Sequence, residues 1–335
     1  MKPFIKPLLI LMLCLAGTLS RASETLFVSQ WLPKSHPLYQ VMEQWQRDVS
    51  AATEGELSFN VLPQAVAAPA DHYNAIRDGL ADISIAVLGY TPGRFPLTKL
   101  VEMPFMTHTA ESNSVAFYRL AARTPAMMKE FRDVKVLALF THGPGVVFNT
   151  RKPVRTVADL KGLKFRVGGG VVNQVAQALG ANASLKPATE SYELLANGVM
   201  DGVWLPFESL YTYNLQGLIK HATSFPGGLY TSTFIIMMNK SRWRELNEAQ
   251  QQAVQELSGE TYSRELGQAF DRMDRDARIK AEKAGIKIID APEPLVKSVR
   301  DGVKPLLDEW KEVAVDKGIE DPDAVIERYR EDIAQ

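Results

Sequence analysis

The chain has 335 residues, 46% hydrophobic and 23% charged, with 38 basic residues against 39 acidic ones and a formal net charge of −1. That balance offers no electrostatic footprint for nucleic acid and no basic helix for an anionic membrane surface. A single cysteine excludes an intrachain disulfide framework and a cysteine-built metal site, and the length suggests two domains.

Residues 1–22 read as a signal peptide. Lys2 and Lys6 precede an apolar run over 8–16, and the small residues around Ala22 suit a signal peptidase. The run is shorter than the roughly 20 residues that span a bilayer, which disfavours the competing reading of a retained anchor. Cys14 follows Leu13, where a lipid-attachment signal wants a small residue. Export would leave 35 basic residues against 39 acidic ones and no cysteine. The expected location is the periplasm, for a chain large enough to fold without disulfides.

Beyond this segment, strands and helices alternate. Residues 26–28 read as a first strand, and Pro37 opens a helix with Leu38, Val41, Met42, Trp45 and Val49 on one stripe. Leu57, Phe59 and Val61 alternate with Ser58 and Asn60, the period of a half-buried strand. A short helix over 73–79 and a strand over 83–87 follow. A second set begins with a strand over 134–140 and a turn N-capped by Thr156. A strand over 164–167 then runs into Gly168, Gly169 and Gly170, and helices follow over 172–179 and from Thr189 to 197. Residues 234–238 are an apolar strand. Asn247 and Gln250 form a capping box that opens a helical pattern reaching Ala284, interrupted by Gly259 and Gly267. Asp321 and Pro322 start a last helix.

The expected fold is α/β with two lobes, each a small mixed sheet flanked by helices, and a ligand cleft between them. The first lobe takes residues 24–148 with part of 234–335, and the second takes 149–233 with part of 234–335. The crossings are expected near 147–150 and 233, with a long helix over 247–284, open to a kink, packing across both lobes.

Catalytic patterns are absent. No Gly-x-Ser-x-Gly elbow occurs, and His36, His72, His108, His142 and His221 show no short metal spacing. The three glycines at 168–170 imitate a phosphate loop, but Asn173 stands where a dinucleotide fingerprint wants glycine. Asp271, Asp274 and Asp276 lack the glycine turn of a calcium loop and read as a solvated helix face.

Three segments carry a resemblance. PVRTVADLKGLKFRV at 153–167, ALGA at 178–181 and YELLANGVMDG at 192–202 are spaced as in the DctP-type solute receptors of TRAP transporters. The similarity runs over nearly the whole chain after the signal segment. It implies a periplasmic receptor, not an enzyme, that closes two lobes on a small organic carboxylate without a cofactor. It also implies delivery to separate TRAP membrane permease subunits driven by an ion gradient. A monomer is expected. A sensory receptor presenting the same ligand to a membrane protein is not separated from this by sequence. A periplasmic enzyme on the same scaffold would need a catalytic dyad.

The family's central arginine falls on Arg166. Physical chemistry favours the same residue, because a guanidinium fork matches a carboxylate bidentately and Arg166 ends a strand before glycines and a helix start. The amides of Gly169 and Gly170 are expected to add anion contacts there. Two departures from the family's pattern mark the ligand. Gly145 stands in the place of a second arginine, and Leu205 in the place of a binding asparagine. A site with fewer polar donors selects a less polar ligand, so a monocarboxylate with an aromatic, alicyclic or branched 2-oxo body is expected. One charge-assisted contact contributes about 1.5–3 kcal/mol against the roughly 8 kcal/mol of micromolar binding, so apolar walls must supply much of the remainder. Trp31, Tyr90, Trp204, Phe207 and Phe234 are the expected walls, each also open to a reading as core packing. Glu208 is read as orienting Arg166 or accepting a ligand hydroxyl, His142 as a neutral donor, and Arg94 as tying its own loop.

Overall fold

The computed structural model describes residues 23–335, and the expected signal segment with Cys14 lies outside the described residues. β1 (Glu24–Ser29), β2 (Leu57–Val61), β3 (Ile83–Val87), β4 (Val134–Thr141) and β10 (Thr233–Asn239) form one sheet in the order β2-β1-β3-β10-β4. β1 runs parallel to β2 and β3, as helical crossovers require, and β10 lies antiparallel between β3 and β4. Both β3 and β10 are buried along their whole length, which accounts for the apolar run of β10 and for a β3 broken only by Ser84.

The second sheet contains β5 (Val146–Asn149), β6 (Lys164–Val167), β7 (Asn182–Leu185), β8 (Gly202–Leu205), β9 (His221–Ser224) and β11 (Lys287–Asp290). Its order is β11-β9-β5-β8-β6-β7, with β5 antiparallel to β8 and β9. Both sheets are therefore mixed. The chain leaves the first sheet at Thr141 and enters the second at Val146. It does so a few residues before the expected 147–150, because Gly143, Pro144 and Gly145 break the apolar run first. It returns between Ser224 and Thr233. The two connections are hydrogen-bonded to each other, Gly145 N to Tyr230 O at 2.8 Å and Leu229 N to Gly145 O at 3.1 Å.

The helical pattern over 247–284 resolves into two helices. The Asn247–Gln250 capping box opens Glu248–Glu256. Gly259 then turns the chain at φ 73°, and its amide donates to Leu137 O at 2.7 Å. The long helix Glu260–Lys283 runs on without interruption through Gly267. Its stripe of Tyr262, Leu266 and Phe270 packs on the first sheet, whereas Ala277 and Ala281 pack on the second. Each large side chain buried this way contributes about 1.5–3 kcal/mol, so one rigid rod is anchored in both lobes. Asp276 is exposed as expected, but Asp271 and Asp274 are not a solvated face. Asp271 accepts the amides of Ala110 and Glu111 at 2.7 and 3.0 Å, capping the helix Ala110–Arg123 from outside. Asp274 accepts the amide of Glu208 at 2.8 Å. Among the described residues no helix is long and apolar enough to cross a membrane.

Candidate functional site

β6 pairs with β8 in the register Arg166 opposite Val203. Side chains alternate along a strand, so Phe165 and Val167 enter the core and Arg166 turns to the other face. Arg166 is only 2% exposed. Its Nε donates to Lys186 O at 2.8 Å, Nη1 to Trp204 O at 3.5 Å and Nη2 to the Tyr90 hydroxyl at 3.3 Å. All three partners are uncharged. A guanidinium carries five N–H donors, so each terminal nitrogen retains one.

These donors face a cavity between the two sheets. Trp31, Leu38, Val87, Phe234 and Phe270 wall it from the first lobe, and Ala188 and Leu205 from the second. Trp31 is fixed by its Nε1 donating to Ile85 O at 2.9 Å, and Phe234 and Phe270 meet with centroids 5.9 Å apart. The remaining polar groups are His36, His142, Glu208, Ser209, Tyr213, Tyr230 and Ser232. Burial, then the charge of Glu208, pushes the Tyr213 phenol well up, and burial does the same to Tyr230. Both remain neutral donors.

Of the residues singled out from sequence, Arg166, Tyr90, Trp31, Phe234, His142 and Glu208 line this cavity, and Trp204, Phe207 and Gly169 do not. The register that turns Arg166 toward the cavity puts Leu205 on the same face and Trp204 on the other. Trp204 is wholly buried against Phe165, with ring centroids 5.9 Å apart. Phe207 packs edge-on to Phe148 at 5.3 Å and lies under Arg278.

Gly169 meets the other lobe instead of a ligand. A Cβ there would lie 1.6 Å from the carbonyl oxygen of Gly89, so two glycine backbones touch where the lobes close. Nor is the following helix terminus open to an anion. Glu102 is 2% exposed and reaches across from the first lobe to accept the Val171 amide at 2.8 Å. Its other oxygen accepts from the amide and hydroxyl of Thr233 at 3.0 and 2.6 Å. Burial pushes its carboxyl up, and these donors oppose the shift.

His142 is likewise not a donor to the cavity. Its Nε2 accepts the Ser232 amide at 3.0 Å, which assigns the proton to Nδ1, and Nδ1 donates to Gly143 O at 2.6 Å. Burial, with the charge of Arg166 adding, pushes the ring down to about 4. His142 ties the two interlobe connections together.

Tyr230, Tyr213, Phe270 and His36 were not singled out from sequence. Phe270 carried a usable signal, as it lies on the apolar stripe of the helix expected to cross both lobes. Tyr230 explains Gly145, since a Cβ at 145 would lie 2.3 Å from the Tyr230 ring. No arginine fits in that place beside it. Arg94 donates to Asn74 at 2.6 Å and lies over the Tyr73 ring at 3.9 Å.

Residues 27–313 match the family model described as bacterial extracellular solute-binding protein, family 7. A TRAP periplasmic solute-binding protein from Bordetella bronchiseptica, solved with bound (R)- and (S)-mandelate, is 39% identical at a TM-score of 0.90. The match covers 93% of this chain and 99% of that one. A TRAP solute-binding protein from Rhodoferax ferrireducens, in complex with copurified benzoate, is 30% identical at a TM-score of 0.86, over 93% of this chain and 98% of its own. One from an unidentified marine microbe, described as specific for aromatic acid ligands and solved with 3-hydroxybenzoate, is 28% identical at a TM-score of 0.86, with the same coverage.

Proposed function

The chain belongs to bacterial extracellular solute-binding protein family 7, the DctP-type receptors of TRAP transporters, and on that premise we propose that its cleft takes an aromatic monocarboxylate for delivery to the membrane permease. The observation that carries the reading is Arg166, a buried cation with only uncharged partners. An unpaired buried charge is costly, and a ligand carboxylate accepting from both Nη atoms would relieve that cost. The aromatic and aliphatic walls then supply the apolar share of the binding energy.

Three similar proteins bound to mandelate, benzoate and 3-hydroxybenzoate support this ligand class. The receptor is read as a periplasmic monomer released from its signal peptide, in keeping with a family of solute receptors. Thermal-shift screening against a panel of carboxylic acids, sugars and amines tests the reading. Aromatic monocarboxylates should raise the melting temperature, since a ligand that binds only the folded state stabilises it. A shift from neutral solutes with none from aromatic acids would refute it.

A further inference from the structure

His36 of the first lobe and Glu208 of the second face each other in the cavity, with Nε2 4.0 Å from Oε2. They are 3% and 5% exposed. The His36 Nδ1 accepts the Leu38 amide at 3.2 Å, so the neutral ring carries its proton on Nε2. Burial is the main cause that holds this ring below its usual range, against the opposing charge of Glu208. On Glu208, Oε1 accepts from Ser209 at 2.6 Å and Oε2 from Thr212 at 2.5 Å, which leaves further lone pairs on each oxygen.

The gap of 4.0 Å is too wide for a direct hydrogen bond. An oxygen about 2.8 Å from each atom would bridge it. That oxygen must donate to Glu208 and accept from His36. A hydroxyl does both. A second carboxylate would oppose the Glu208 charge, and an ammonium has no lone pair for the Nε2 proton. A bare ring edge leaves donor and acceptor unmet, which is the costly outcome for buried polar groups.

We propose that His36 and Glu208 read a hydroxyl on the ligand, so that the solute is an aromatic hydroxy acid with its carboxylate on Arg166. The inference rests on the aromatic-carboxylate reading above and narrows it. The hydroxyl can stand beside the carboxylate or on the ring, and the pair's chemistry is the same for both.

Calorimetry with four probes on the phenylacetate skeleton tests it: phenylacetate, mandelate, 3-hydroxyphenylacetate and phenylglycine. At least one hydroxy acid should bind about tenfold or more tighter than phenylacetate, mandelate marking a hydroxyl beside the carboxylate and 3-hydroxyphenylacetate one on the ring. Glu208→Gln should collapse that ratio. Equal binding of phenylacetate, tightest binding of phenylglycine, or an unchanged ratio in Glu208→Gln would each overturn the proposal. Should the variant not fold, the wild-type ratios decide alone. If none of the four acids binds, the aromatic-carboxylate reading itself fails, and the role of the pair with it.

Discussion

The Tyr90 hydroxyl, from the first lobe, stands 3.3 Å from Nη2 of Arg166 and 2.9 Å from the Ala188 amide, both in the second. It accepts from each, so its own hydrogen is left for another acceptor. Tyr90→Phe keeps the ring beside Trp31 and deletes these bonds. Each is worth about 0.5–1.5 kcal/mol, so carboxylate affinity should fall about fivefold or more by calorimetry, with faster dissociation in stopped-flow.

Arg166→Lys retains the charge and loses the fork. One ammonium cannot reach Lys186 O, Trp204 O and both oxygens of a carboxylate together. Affinity should drop at least about tenfold. Unchanged affinity would remove Arg166 from the site.

Gly169→Ala tests closure without touching the cavity. The added methyl would meet the Gly89 carbonyl only when the lobes are together. The expected result is a protein that melts normally but binds about tenfold more weakly or worse, because the closed form carries the overlap. Small-angle scattering should show it open in the presence of ligand.

His142 makes stability depend on pH. The unfolded chain binds a proton there near 6.5, and the folded chain refuses it until about 4. Its contribution is therefore complete above about pH 6.5 and is lost as pH falls toward 4. His36 and His72 are lowered by burial and act in the same direction. Denaturant melts at pH 7 and pH 5 should show wild type losing more stability than His142→Gln, by about 1–2 kcal/mol. That comparison separates this proton from those of Glu102 and Asp274, which burial pushes up.

Leu205 and Trp204 are adjacent, and substitutions there should have different consequences. Leu205→Asn puts an amide into the cavity wall and should weaken aromatic acids about tenfold with little change in melting temperature. Trp204→Ala leaves a hole beside Phe165 and should cost about 3–5 kcal/mol of stability. A reversal of the two outcomes would contradict the β8 register.

Six of the eleven strands among the described residues and the Asn247–Gln250 capping box are legible in the sequence because period and cap chemistry are local, whereas the four-residue strands β5, β7, β8, β9 and β11 are too short to show a period. Arg166 is marked chiefly by the family resemblance, since a cation at a strand end reads as readily as one half of a salt bridge. Facing is harder. Trp204 and Leu205 are both plausible wall residues until pairing with β6 decides which one turns inward, and pairing is a property of two distant segments. His142 reads as a free donor because nothing local reveals that Ser232, ninety residues on, occupies its second nitrogen. Asp271 and Asp274 look solvated for the same reason, as the amides they accept belong to other elements. A one-residue ambiguity at Gly259 separates a kinked helix from two helices.

Glu102 is held by Thr233 on its own side and grips the Val171 amide from across the cleft, and the second of these bonds exists only while the lobes are together. A captured solute therefore has two barriers to escape, its own hold on the walls and the release of that amide by the carboxylate. The second is the same for every cargo. It favours the closed form whichever solute is held.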